Sequence, residues 1–368
     1  MRTPALNIRA TVLGLAMTAA VTAGAEIRWL ERDFDFGVMK EAAGPKNGHS
    51  RFVNTGRDTL TIVDVRPSCG CTSATYTDAP IAPGDTACVE YTYDPAFRPG
   101  RFAKTVRVSL SDGSRYSIKI TGAVLGTPES LDKMYPVEAG AVRLTESVIP
   151  LGEVRMGETP SRFFSIYNQE GDSVWPRCIS PDKALKVERH TGLLGPGDII
   201  TYGVYLDTKR LGKYGPVELP VRVIADSLHS DAGETNVTVR ATIVPDFRFI
   251  SATQEKNAPH FSLEQRVVDL GDINPTLPRE FEFTILNDGR STLELRRIYS
   301  DDGLIEPAEA PRTIKKGKKA RIKARLHGGR MPAGPFRATL KIITNDPRNG
   351  VAEVPVCGII TNTYKTQN

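Results

Sequence analysis

The most concentrated chemistry in the chain lies in RPSCGCTSA, residues 66–74, where Cys69 and Cys71 flank one glycine. Two thiols at i and i+2 can close a bridge, act as a redox pair, or clamp a soft metal such as copper or zinc. In an extended strand, residues i and i+2 share a face about 6.6–7 Å apart. A disulfide needs Cβ atoms about 3.5–4.5 Å apart, so closure requires a sharp bend at Gly70. A closed zinc site needs four ligands. No C-x-x-C or H-x-x-x-H pattern lies nearby, and His49 is the only histidine in the first 125 residues. A positive neighbour such as Arg66 would raise the thiolate fraction of an open pair. The pair therefore stands between a structural turn, a redox couple and a metal clamp.

Five cysteines is an odd number, so at least one stays unpaired or pairs between molecules. Cys88, Cys178 and Cys357 each fall on the outward phase of a strand pattern and are expected to be surface thiols. Cys88 becomes a partner for Cys69 or Cys71 if its strand neighbours the turn. The run RTIKKGKKARIKARLHGGR at 312–330 offers Lys318, Arg321, Lys323 and Arg325 as a positive strip for an anionic glycan or lipid headgroup. The same pattern also discourages strand edges from aggregating. Base-stacking aromatics are missing from it, which disfavours nucleic acid. The histidines at 49, 190, 229, 260 and 327 are spread along turns and linkers. No nucleophile elbow, metalloprotease helix, phosphate loop or dinucleotide fingerprint occurs, so no enzyme and no cofactor are expected.

These residues sit in a framework that repeats three times. Each copy opens with an apolar-x-apolar-Gly tetrad: FDFG at 34–37, IPLG at 149–152 and VDLG at 268–271. A strand and turn follow, as RFVNTGRDTL, FFSIYNQEGDSV and FTILNDGRSTL. Asn54 and Asn287, each two residues before a glycine, predict hairpins because both residue types tolerate positive φ. Next, a turn at Gly84, Gly197 or Gly317 leads into a long alternating strand. Ala87, Val89, Tyr91 and Tyr93 match Ile200, Tyr202, Val204 and Leu206, and Ala320, Ile322, Ala324 and Leu326, as inward positions. Near the Cys69 position the other copies carry Lys183 and Asp302, so the framework does not need the cysteines. A repeat of about 115 residues is a domain rather than a solenoid unit. The expected fold is all-β, with three tandem immunoglobulin-like β-sandwiches of about seven strands.

The ends frame this array. Arg2 and Arg9 precede the apolar run ATVLGLAMTAAVTA, and AGA at 23–25 is a small-residue cleavage site. An export signal over 1–25 is expected, with a mature chain of 343 residues (368 minus 25) and net charge reduced from +5 to +3. No later segment is apolar for long enough to span a membrane. The domains are then 26–125, 148–246 and 266–368, joined by linkers at 126–147 and 247–265.

The first domain resembles the bacterial domain of unknown function 1573. The residues that carry the resemblance are SCGCT at 68–72, PGD at 83–85, YTYD at 91–94 and GRF at 100–102. LDKMYPVEAGAVRL is similar to the segment that follows this domain in longer members, and TNDPRNG at 344–350 resembles a hairpin of bacterial and ciliary immunoglobulin-like domains. The resemblance implies an immunoglobulin-like fold in a periplasmic or secreted protein and no established activity. The expected function is a non-enzymatic binding or scaffolding module for a protein or glycan partner in a Gram-negative envelope. The alternative is thiol-redox or copper/zinc handling through Cys69 and Cys71. Oligomeric state and the partner's identity are left open by the sequence.

Overall fold

Period-2 alternation becomes strand in all three repeats of the computed structural model, which describes residues 27–188, 192–227 and 233–361. The export segment expected at 1–25, His190 and His229 lie outside the described residues. The first sandwich contains β1 (Ile27–Glu31), β2 (Phe34–Lys40), β3 (Lys46–Asn54), β4 (Ile62–Pro67), β5 (Thr72–Tyr76), β6 (Thr86–Tyr93), β7 (Gly100–Leu110) and β8 (Arg115–Leu125). They form two sheets, β1-β3-β6-β5 and β2-β8-β7-β4. Ala87, Val89, Tyr91 and Tyr93 of β6 are buried with Phe52 and Ile118 between the sheets, as the alternation requires.

The second sandwich contains α1 (Pro128–Met134), β9 (Val137–Ala139), β10 (Val142–Leu144), β11 (Val148–Arg155), β12 (Ser161–Asn168), β13 (Val174–Ile179), β14 (Leu185–Val187), β15 (Ile199–Leu206), α2 (Thr208–Leu211), β16 (Gly215–Ser227) and β17 (Gly233–Val244). The third contains α3 (Ala252–Lys256), β18 (Phe261–Leu263), β19 (Val268–Ile273), β20 (Arg279–Asn287), β21 (Leu293–Tyr299), β22 (Ile305–Glu309), β23 (Thr313–Ile314), β24 (Lys319–Leu326), β25 (Gly334–Thr344) and β26 (Val351–Ile360). Sheets β14-β15-β12-β10-β9 and β11-β17-β16-β13 make the second sandwich, and β18-β20-β24-β22 and β19-β26-β25-β21-β23 make the third. All three follow one path with eight principal strands, one more than expected. The opening tetrads end in left-handed glycines, Gly37, Gly152 and Gly271, with φ of 65°, 71° and 61°. In the later two copies a β-bulge falls there, which is why the tetrad closes on glycine.

Two boundaries differ from expectation. Residues 126–147 are not a linker: β9 and β10 extend a sheet of the second sandwich. Thr127 caps α1, Tyr135 stacks on Tyr167 at 5.0 Å, and the buried Arg143 guanidinium joins Asp132, Glu138 and Gln169. Within 247–265, β18 already pairs with β20. The described residues divide into two compact units, one of residues up to 96 with 101–124, the other of 97–100 with those from 125 on. The second and third sandwiches thus share one unit.

The expected Asn-Gly hairpins are also replaced by something else. β3 and β4 lie in opposite sheets, so the segment between them crosses the sandwich. No asparagine takes positive φ among the described residues. Instead Asn54, Asn168 and Asn287 are fully buried. The amide of Asn54 donates to Asp58 O at 2.8 Å and Ile81 O at 2.9 Å, while its Oδ1 accepts from Gly56 N at 3.0 Å. Asn168 donates to Asp172 O and Leu194 O, and Asn287 to Ser291 O and Ile314 O. Each amide adds hydrogen bonds to buried backbone carbonyls across the crossing, and Ile81 O and Leu194 O also accept from Leu60 N and Val174 N. One polar lock therefore recurs in every copy.

Candidate functional site

The Cys-Gly-Cys turn sits where the chain leaves the edge strand β4 of one sheet and enters the edge strand β5 of the other. The chain bends there, bringing the Cα atoms of Cys69 and Cys71 to 5.2 Å, and the two sulfurs are bonded as a disulfide. Ser68 N donates to Thr105 O at 2.8 Å, and Asp94 N donates to Cys71 O at 2.9 Å. Cys71 is buried, and Cys69 packs partly against the core. Arg66 is paired with Asp64 at 2.9 Å.

The equivalent turns show what the bridge does. Strand pairing aligns Thr72 with Leu185 and Ile305, opposite Tyr93, Leu206 and Leu326. Counting back, Cys69 matches Asp182 and Asp302, one residue from the Lys183 expected in the second copy. Asp182 Oδ1 accepts from Ala184 N at 2.8 Å, and Asp302 Oδ1 accepts from Leu304 N at 2.9 Å. Ala184 and Leu304 occupy the position of Cys71. All three sheet crossings therefore carry a link from i to i+2. Two use an aspartate hydrogen bond and the first uses a covalent bridge. With both sulfurs in that bond, neither offers the thiolate that a soft metal binds.

The other cysteines are not associated with the turn. Thr77 bonds to the backbone of Cys88, while Thr72 pairs with Tyr93 at the other end of β6, so Cys88 is remote from Cys71. Burial and then the Glu90 carboxylate push the Cys88 thiol above its usual value. Cys178 is not on the surface: it is buried in the second core, and burial pushes its thiol up to about 12. The reason is a difference in register. β4 and β21 carry a bulge after Ile62 and after Leu295, which reverses the facing of the next residues. β13 pairs with β16 without a bulge, so Cys178 keeps the inward phase. Cys357 is half-buried on β26 opposite Arg337.

The expected basic strip is a ladder of ion pairs. Arg321 meets Glu282 at 3.5 Å, Lys323 meets Glu309 at 2.7 Å, and Arg325 meets Glu280 at 2.8 Å. Lys319 adds Glu264 at 2.9 Å, beside Lys318 at the strand's start. The carboxylates come from β20, β22 and the turn after β18, which sequence order keeps far from β24. Carboxylates thus meet three of the four cations of the strip, and Lys318 has no ion-pair partner among the described residues.

A polar face that the sequence reading did not single out lies on the first sandwich. Asn47 and His49 of β3, Glu90 and Thr92 of β6, and Ser73 and Thr75 of β5 line a shallow depression. Register places Asn47, Thr92 and Ser73 in one row and His49, Glu90 and Thr75 in the next. Thr92 donates to Asn47 Oδ1 at 2.8 Å, and His49 lies 3.3 Å from Glu31. The visible signal is that the outward phase of all three strands is polar. Among the described residues, no three His, Cys, Asp or Glu side chains are grouped to hold a metal ion. Among them, too, no helix is long and apolar enough to cross a membrane.

The family described as "Protein of unknown function (DUF1573)" matches residues 27–124 and 261–360, more than half of the chain. The chain belongs to that family. The second match covers the third sandwich, which has no Cys-Gly-Cys, so the shared framework extends beyond the cysteines. Comparison with curated proteins finds no match. Among solved structures, a protein of unknown function from Porphyromonas gingivalis W83 is 15% identical, covering 60% of this chain and 100% of its own, with a TM-score of 0.48. The PapD-like domain 7 of human CEP192 is 14% identical over 29% of this chain and 88% of its own, with a TM-score of 0.26. The periplasmic chaperone SfaE is 13% identical over 60% and 100%, with a TM-score of 0.25. None of these likenesses bears on what the chain binds.

Proposed function

We propose that the chain is an exported, non-enzymatic module of the bacterial cell envelope that binds a protein or glycan partner. The observation that carries the reading is the polar face of the first sandwich. Side-chain donors and acceptors stand there in register on three paired strands, a rigid base for recognising hydroxyl and amide groups. The bridged cysteines support export, since structural disulfides persist in oxidising compartments. The basic n-region and apolar run of the first 25 residues point the same way.

Two experiments test this reading. Cell fractionation should recover the chain outside the cytoplasm, beginning at Glu26. The immobilised mature chain should retain an envelope polysaccharide or protein, and the combined variant His49→Ala, Glu90→Ala and Thr92→Ala should release it while remaining folded. Retention unchanged by that variant removes the polar face from the account. A cytoplasmic, uncleaved chain removes export.

A further inference from the structure

Arg296 and Arg297 are consecutive in sequence, and in a regular strand they would face opposite sides of the sheet. β21 is irregular at this point. Leu295 pairs with Thr344 and Arg297 with Ile343, so Arg296 is the extra residue of a bulge. Bulges re-aim side chains. Here both arginines reach one cleft, which Lys213, Tyr214 and Glu218 also line. The cleft lies within the second compact unit.

Arg296 is held in place, and Arg297 stands exposed beside it. The Arg296 guanidinium lies 4.9 Å from the centroid of the Tyr214 ring and donates to Tyr214 Oη at 3.1 Å. It also meets Glu294 at 3.1 Å. The Arg297 stem lies against Gly215, where an added Cβ would stand 2.7 Å from Arg297 Cγ. Gly215 also has a φ of 82°, a backbone conformation that favours glycine. The one carboxylate lining the cleft, Glu218, is occupied by Arg240 at 2.8 Å. Arg297 and Lys213 have no ion-pair partner among the described residues.

A guanidinium fork fits planar or tetrahedral oxygen pairs, and an exposed arginine without an ion-pair partner is open to them. We propose that this cleft binds an oxyanion, a carboxylate or phosphate group, with Arg297 and Lys213 as the primary contacts and Arg296 as their fixed neighbour. The inference concerns the second unit and does not depend on the polar face of the first sandwich.

The test is calorimetric titration of the full chain at low ionic strength with sodium glucuronate, inorganic phosphate and glucose. Glucuronate, phosphate or both should bind saturably, and glucose should not. Binding of one alone assigns the source as carboxylate or phosphate. The variant Arg297→Gln with Lys213→Gln should weaken binding by about tenfold or more. Arg297→Lys, which keeps the charge but loses the fork, should fall between that variant and the native chain. Circular dichroism checks that each variant is folded. No saturable binding of either anion, or unchanged affinity in the folded double variant, overturns the proposal.

Discussion

Asn287→Ala should lower the stability of the third sandwich by about 3–5 kcal/mol. The Asn287 amide donates to Ser291 O and Ile314 O, both at 2.8 Å. Its Oδ1 accepts from Gly289 N at 3.2 Å and His260 N at 3.3 Å. Alanine leaves these groups without that partner beside a fully buried position. Each stranded group costs about 1–3 kcal/mol, and partial access of water keeps the total below the simple sum. In calorimetry of the full chain, the transition of this domain should fall by about 12 °C or more. Asn287→Asp should be at least as damaging at neutral pH, because an ionised carboxylate cannot donate to two carbonyls. Part of the loss should return under acidic conditions, when the carboxyl regains a proton. A change below about 1 kcal/mol would show that the lock is not a principal support of the fold.

The second large effect is expected at Asp346, a carboxylate only 1% exposed, in the turn between β25 and β26. Burial alone would push its carboxyl up. Hydrogen bonds from Phe261 N, Asn349 Nδ2, Arg348 N and His260 Nδ1 outweigh burial and hold it below its ordinary value. Asp346 thereby ties the start of β18 to a turn 85 residues away in sequence. Asp346→Ala removes the acceptor for these groups and should cost about 2–4 kcal/mol at pH 7. The pH dependence has a definite sign. A carboxyl held low in the folded state binds fewer protons there than in the unfolded chain. Its stabilisation is complete above the unfolded value, about 4, and is lost as pH falls through the folded value. The gap in denaturation midpoint between native chain and variant should therefore narrow from pH 7 to pH 3. An equal gap at both values would show that the ionised form is not what holds the turn.

Much of the fold was legible because one period dominates. Ala87, Val89, Tyr91 and Tyr93 alternate without interruption, and all are buried. The turns at Gly84, Gly197 and Gly317 have φ of 90°, 69° and 67°, as expected of left-handed glycines. The errors have physical causes. β9 and β10 are three residues each, too short to show a period, so they read as linker. Asn54 and Asn287 were correctly paired between copies, but an asparagine before a turn gives the same sequence signal whether it bends the chain or locks it. Cys178 faces inward, against its expected outward phase, because a bulge present in two copies is absent from its own. The strip at Lys318, Arg321, Lys323 and Arg325 read as positive because the carboxylates opposing it come from other strands. The Cys-Gly-Cys turn was placed at a required bend. Its role became visible only beside Asp182 and Asp302, which perform the same link without sulfur.

The central claim is that Cys69 and Cys71 build this turn as a closed bridge and not as a metal clamp. Thiol titration of the unfolded protein, before and after reduction and combined with metal analysis, tests it most directly. Three thiols should react before reduction, those of Cys88, Cys178 and Cys357, and five after it, with no copper or zinc bound. Five thiols before reduction, or copper or zinc bound in proportion to the chain, would contradict the account.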